Sequence, residues 1–267
     1  MPIMKKSNFR RVCCILFTFI LCSNIGYSRI LKKSILDKLV VFTFDDATAS
    51  HYSVVAPLLK KYGFGATFYV CEFQPNFKDS TKYMNWRQIS ELNKMGFEVA
   101  NHSLTHKAVN KLTKDKFIAE LKCIDKKCDS VHIPISKNFA YPGYARDSSV
   151  VQTLIEQGYL FARIGNNRAY DPLVDHPLLI PSWCMGNKNK EQILAAFNEA
   201  KNGKIVVLTI HGVPDIEHPG VSTTPALFEE HLKYLSDNHF KVISIKELGK
   251  YINVKEAAKT IKPVIGK

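Results

Sequence analysis

Residues 39–70 read LVVFTFDDATASHYSVVAPLLKKYGFGATFYV. The run from Leu39 to Phe44 is apolar, β-branched or aromatic at nearly every position, which is the composition of a parallel strand covered on both faces. A helical stretch over 51–62 follows it, and Gly63 and Gly65 stop that helix. Residues 66–70 read as a second strand. A strand, a helix and a strand within so short a span form the right-handed unit of a parallel sheet.

Working outward, the alternation continues. Helices are expected over 86–94, 113–126, 148–157, 190–201 and 224–238. Further strands are expected over 97–100, 138–140, 161–163, 205–210 and 241–245. No long linker, internal repeat or low-complexity tract interrupts them, so the expected fold is a single α/β domain with a barrel-like or open parallel sheet. The Lys-rich segment from Val254 is expected to fray.

The chain has 267 residues and a formal net charge of +13. Lys5, Lys6, Arg10 and Arg11 precede an apolar run over 12–22, and small or polar residues follow. This is the order of a secretory signal peptide. The run is well short of the roughly twenty residues a spanning helix needs. Gly26 and Ser28 set the expected cleavage after Ser28, with residues 29–267 as the mature domain, secreted, periplasmic or in the cell envelope. An uncleaved anchor is the alternative. The remaining basic charge is scattered, without a basic helix or an RNA-type aromatic motif, which argues against a nucleic-acid partner. It suits electrostatic association with a cell wall or membrane surface, and no protein partner is expected. Three of the seven cysteines leave with the leader. Cys71, Cys123, Cys128 and Cys184 remain, and their pairing is open.

In parallel α/β folds, chemistry gathers at the carboxyl ends of the strands. Asp45 and Asp46 stand just past the first strand, where two adjacent carboxylates need a cation or a shared proton. Alone, they would pass for a helix cap. His102 and His106, four residues apart after another strand, can reach one ion from one side of a helical turn. With Asp46 they offer two nitrogens and one oxygen, a set suited to catalytic zinc or a similar divalent metal. His211 ends a third strand, where a general acid could sit. Tyr141, Pro142 and Gly143 end a fourth with a turn that can present backbone N–H groups to a developing oxyanion or a substrate.

In order, these residues resemble the polysaccharide deacetylases of carbohydrate esterase family four, the NodB-type domains. Thr43-Phe44-Asp45-Asp46 matches the family's TFDD, and His102-Ser103-Leu104-Thr105-His106 matches its H-[S/T]-x-x-H. Phe139-Ala140-Tyr141-Pro142-Gly143 is similar to its third motif, and His211 occupies the histidine of the fifth. The resemblance covers residues 38–250 or so. It implies a distorted barrel and hydrolysis of acetyl groups on a polysaccharide. Asp46, His102 and His106 would be the metal ligands, Asp45 the base and His211 the acid, with the backbone near Gly143 holding the oxyanion. N-acetyl groups of an amino-sugar polymer such as peptidoglycan or chitin are the first expectation. O-acetyl groups on the same fold, or a carbohydrate-binding protein without turnover, are the alternatives. Ala140 stands where many members have the arginine that braces the base, and Arg163 is the proposed substitute. Thr209 replaces a leucine two residues before His211. Asp171, Asp175 and Trp183 are candidates for the missing fourth motif, and Asp171 or Asp175 for a carboxylate beside His211.

Overall fold

The computed structural model describes residues 29–265, so the leader expected over 1–28 lies outside the described residues. The strands are β1 (Leu39–Phe44), β2 (Thr67–Val70), β3 (Glu98–Asn101), β4 (Asn138–Ala140), β5 (Phe161–Asn166), β6 (Ile180–Met185), β7 (Val206–Ile210) and β8 (Lys241–Ile243). The helices are α1 (Ala56–Tyr62), α2 (Trp86–Lys94), α3 (Lys114–Ser130), α4 (Ser148–Glu156), α5 (Lys190–Phe197), α6 (Pro225–Asp237) and α7 (Val254–Thr260). A π-helical turn, His51–Val55, leads into α1.

All strands pair in parallel, and the order β2-β3-β4-β5-β6-β7-β1 closes through β1–β2 contacts into a seven-stranded barrel flanked by helices. One edge of β1 takes β7 along five positions, from Val40↔Val206 to Phe44↔Ile210. The other edge is shared. β8 pairs with Leu39, Val40 and Val41, and β2 pairs only with Thr43 and Phe44. β8 thus wedges the barrel open at its amino end, which is the distortion the resemblance implies.

The apolar side chains fall into two layers because strand residues alternate faces. Phe42, Phe44, Phe68 and Leu208 point outward against α1 and α6, with Phe44 and Phe68 stacked at 5.0 Å. Leu39, Val41, Tyr69, Val207 and Ile243 fill the interior. Every residue of β1 is buried, as its composition requires. Side-chain caps start several of the helices: Asn85 and Gln88 form a capping box before α2, and Thr224 caps α6 ahead of Pro225.

Two expectations change here. β6 has no counterpart in the sequence reading, because Pro181 lacks a backbone donor and breaks the apolar run. The strand accommodates it at a register shift between Arg163↔Ile180 and Asn166↔Ser182. The segment from Val254 is not frayed. It forms α7, whose Ala257 is buried, and Asn253 N–H donates to Ile30 O at 2.7 Å. Together with Ile30, Ile35, Ile245 and Leu248 it plugs the barrel's amino end. Cys71, Cys123, Cys128 and Cys184 are all free thiols.

Candidate metal and catalytic site

β1 delivers both aspartates to the barrel mouth, and the backbone explains how. Successive residues of an extended strand face opposite ways. Asp46 (φ 76°) and Ala47 (φ 52°) instead adopt left-handed conformations, uncommon for residues with a Cβ. The turn swings Asp46 round beside Asp45, at a cost of order 1–3 kcal/mol per strained residue. Asp45 N–H donates to Ile210 O at 2.9 Å and ties this turn to the end of β7.

His102 and His106 follow β3 in a loop, not on the helical turn expected from their spacing. Ser103 (φ 57°) and His106 (φ 54°) are also left-handed, and these two reversals curl the loop until both imidazoles face Asp46. Nε2 of His102 lies 3.5 Å, and Nε2 of His106 3.4 Å, from Asp46 Oδ1. One ligand atom from each of the three residues falls within 4.8 Å of the others. His102 Nδ1 donates to Ala140 O at 2.8 Å, which fixes the tautomer and leaves the Nε2 lone pair free. The three residues therefore fit a divalent ion.

The electrostatics agree with that fit. Burial, and then the neighbouring His102, push His106 down to about 4, so its imidazole is neutral and able to ligate. Burial opposes charge on His102, but the carboxylates of Asp45 and Asp46 outweigh it and raise its pKa. A metal cation would take the place of that proton. Asp46 is held ionised well below the usual carboxylate range: burial works against this, and the three histidines overcome it.

Arg163 braces Asp45. Its Nη2 donates to Asp45 Oδ1 at 2.5 Å and also contacts Oδ2, with both side chains buried. Burial alone would raise the Asp45 pKa, but Arg163, then His102 and His211, bring it below the ordinary value. Arg163 is the register partner of Ala140 on the next strand, so the bracing cation has moved one strand over. The guanidinium lies between the rings of Tyr69 and Tyr144, at 5.6 and 5.5 Å.

His211 stands on the other side of Asp46, its Nε2 3.8 Å from Asp46 Oδ2. The neighbours expected for it lie elsewhere. Asp175 accepts from Arg168 Nη1 at 2.7 Å and Nη2 at 2.6 Å and from Asp171 N–H at 2.9 Å, so neither aspartate backs His211. Trp183 packs on the outer layer with Nε1 towards Glu199 and offers no fourth-motif wall.

What positions His211 was not foreseen from sequence. Buried His51 donates from Nε2 to the His211 carbonyl at 3.1 Å, and Val213 N–H donates to Ser50 Oγ at 2.8 Å. Burial first, against the pull of that bond and of Asp215, lowers His51 to about 4, so it is a neutral donor.

The turn after β4 offers backbone rather than side chains to the site. The Tyr141 side chain is fully buried in the outer layer and donates to Leu178 O at 2.9 Å, and Pro142 is buried too. Gly143 is exposed, with φ 54° and open space where a Cβ would stand, as a backbone donor at a site mouth requires. Tyr144 is the aromatic that faces inward. Beneath it, Thr209 shares a 2.7 Å hydroxyl contact with Ser182, whose Oγ donates to Ile164 O. The position of the expected leucine is thus polar and occupied. On the opposite rim the Phe73 ring is tilted against those of His106 and His218, at centroid distances of 4.7 and 5.5 Å.

A parallel barrel carrying a ligand triad, a braced carboxylate and a histidine at the carboxyl ends of its strands has the layout of a hydrolase. Residues 32–162 match the family described as polysaccharide deacetylase. The chain is 22% identical over 211 residues to a bifunctional xylanase/deacetylase of Pseudobutyrivibrio xylanivorans, covering 79% of this chain and 30% of that protein. It spans less than half the length of the curated relatives it matches. Its fold is similar to the Xyl-CE4 domain of a multidomain xylanase from the hindgut metagenome of Trinervitermes trinervoides, with TM-score 0.57, 21% identity and coverage of 86% and 95% of the two chains. It is also similar to a CE4 family pseudoenzyme from Bacillus anthracis, with TM-score 0.55, 18% identity and coverage of 80% and 66%. Residues 32–162 thus belong to a domain of the polysaccharide deacetylase family.

Proposed function

We propose that this protein removes N-acetyl groups from an amino-sugar polysaccharide of the peptidoglycan or chitin kind, outside the cytoplasm. The reading is carried by one observation. Asp46, His102 and His106 converge, while Asp45, ion-paired to Arg163, lies 3.8 Å from His102 and His211 lies 3.8 Å from Asp46. The triad would hold a divalent ion, and two imidazoles with one carboxylate suit zinc. When bound, that ion lowers the pKa of water and polarises an acetyl carbonyl.

The residues of the chain supply the rest. Asp45, kept ionised by Arg163, takes a proton from the attacking water as its oxygen bonds to the acyl carbon. The backbone N–H at Gly143 would donate to the oxygen that gains charge. His211 then gives a proton to the nitrogen as the carbon–nitrogen bond breaks, releasing acetate and a free amine. Separate base and acid spare either group from holding two protonation states at once.

A second reading, removal of O-acetyl groups from xylan, is favoured by the kinship to a xylanase-linked deacetylase. A carbohydrate-binding protein without turnover would gain nothing from a buried Asp45–Arg163 pair, whose desolvation is costly. Acetate release from chitin oligomers, peptidoglycan and acetylated xylan, with chelator and after zinc is restored, tests all three. Release from the first two only, abolished by chelator, is expected. Release from xylan alone would replace the substrate, and no release from metal-loaded protein would leave binding as the function.

A further inference from the structure

The barrel's two ends differ in charge and polarity. The carboxyl-end loops carry the acids Asp45, Asp46, Glu72, Asp215 and Glu217, of which Glu72 is paired with Lys127 at 2.7 Å and Glu217 with Lys82 at 2.9 Å. The amino end is basic. Lys32, Lys33 and Lys38 are exposed in the segment before β1, Lys241 opens β8, and Lys246 and Lys250 lie on the turn after it. Fewer acids answer them: Asp37 accepts from Asn202 N–H, Glu247 pairs with Lys250 at 2.8 Å, buried Glu98 accepts from Lys246 N–H at 2.9 Å, and Asp125 lies 3.5 Å from Lys137.

Apolar side chains stand exposed among these lysines. Leu36 is 62% exposed, Ile135 47% and Leu160 39%, and each belongs to a segment that enters a strand at this end. Ile135 and Leu160 border a cavity of about 440 Å³ that Lys32, Lys137, Lys246 and the buried Glu98 also line. Residue 29, where the mature domain is expected to begin, precedes buried Ile30 on this same face.

We propose that the amino end of the barrel docks on a membrane surface bearing anionic headgroups, turning the Asp46–His102–His106 mouth away from the lipid. Lysines attract the headgroups, and their aliphatic stems lie alongside apolar side chains that enter the interfacial layer. Lipid is favoured over a soluble polyanion because only an interface also removes Leu36, Ile135 and Leu160 from water. This docking is independent of whether the site turns over, so its failure and that of the deacetylase reading are separately visible.

The test uses the mature chain, residues 29–267, with one tryptophan added at a time and read against the background of Trp86 and Trp183. Leu36→Trp and Ile135→Trp report the amino end, and Ile216→Trp, 67% exposed on the loop after β7, reports the opposite end. Vesicles contain phosphatidylglycerol or only phosphatidylcholine, with brominated acyl chains as quenchers. We expect quenching at Leu36→Trp and Ile135→Trp on phosphatidylglycerol, suppressed by salt, and none at Ile216→Trp. Changing Lys32, Lys33 and Lys246 to glutamate should weaken that quenching, at roughly fivefold in partition per lysine lost. A Lys→Gln set serves if the glutamates perturb folding. Equal quenching at both ends, or none at Leu36 and Ile135, would overturn the proposal. So would the same spectral change with soluble polyphosphate and no vesicles.

Discussion

Replacing Arg163 with alanine would leave Asp45 buried beside Asp46, with only the histidines of the site as positive neighbours. If Asp45 stayed ionised, the broken buried pair would cost about 3–5 kcal/mol of stability. One pKa unit is worth about 1.4 kcal/mol, so taking up a proton is the cheaper course. A protonated Asp45 cannot accept one from water, and kcat/KM at neutral pH should fall on the order of a hundredfold or more. The direction in pH follows from the cause: activity needs the ionised form, removing Arg163 raises the Asp45 pKa, and the acid limb moves to higher pH. Arg163 touches none of the three ligands, so metal content should hold. The double change Arg163→Ala with Ala140→Arg returns the cation to the register-paired position about 4.8 Å away, and should recover part of the rate. The assay is kcat/KM against pH for the three proteins, with elemental analysis. An acid limb unmoved in folded Arg163→Ala would refute the brace.

His102→Ala should remove metal and activity together, and full metal occupancy in that variant, by elemental analysis, would break the ligand assignment. Asp45→Asn should keep the metal yet lose on the order of a hundredfold or more in kcat; loss of metal there instead would exchange the roles of Asp45 and Asp46. His211→Ala should retain metal and lose the alkaline limb of the pH profile, whereas an unchanged bell would make His211 structural. His231 is fully buried on α6, neither ring nitrogen has a partner among the described residues, and burial lowers its pKa to about 4. As pH falls from 6.5 towards 4 the unfolded chain takes that proton first, so His231 withdraws stability, by up to about 3 kcal/mol. His231→Leu should raise the neutral-pH Tm and flatten its decline in acid, and parallel Tm-versus-pH curves would count against this.

Much of the fold was legible because a strand buried on both faces must be apolar at nearly every position, as β1 and β7 are apart from Thr43 and Thr209. β6 was not, since Pro181, Ser182 and Cys184 interrupt its pattern and only pairing with β5 and β7 makes it a strand. In the site, the types and spacings of Asp45, Asp46, His102 and His106 were readable, because metal ligation limits the chemistry that can serve. Their convergence rests on left-handed Asp46, Ala47, Ser103 and His106, none a glycine, so no residue type signalled the turns. Arg163 was traceable as a cation at a strand end, although its reach to Asp45 depends on the β4–β5 register. His51 reads as an ordinary helix residue, and only the fold brings it to the His211 carbonyl.

The shift of the bracing arginine from the β4 position to β5 involves more than one residue. A guanidinium entering from β5 needs cover on its faces, because its Nε and Nη1 have no hydrogen-bond partner among the described residues. Tyr69 and Tyr144 supply that cover with their rings. Tyr144 can lie there only because residue 165 lacks a side chain: a Cβ on Gly165 would come within 2.9 Å of the tyrosine ring. Ala140, at the position Arg163 leaves empty on β4, keeps its carbonyl for His102 Nδ1. The brace on the base and the tautomer of the ligand thus meet at one cross-strand pair. A substitution at Gly165, which touches neither metal nor substrate, acts on Asp45 through Tyr144 and Arg163.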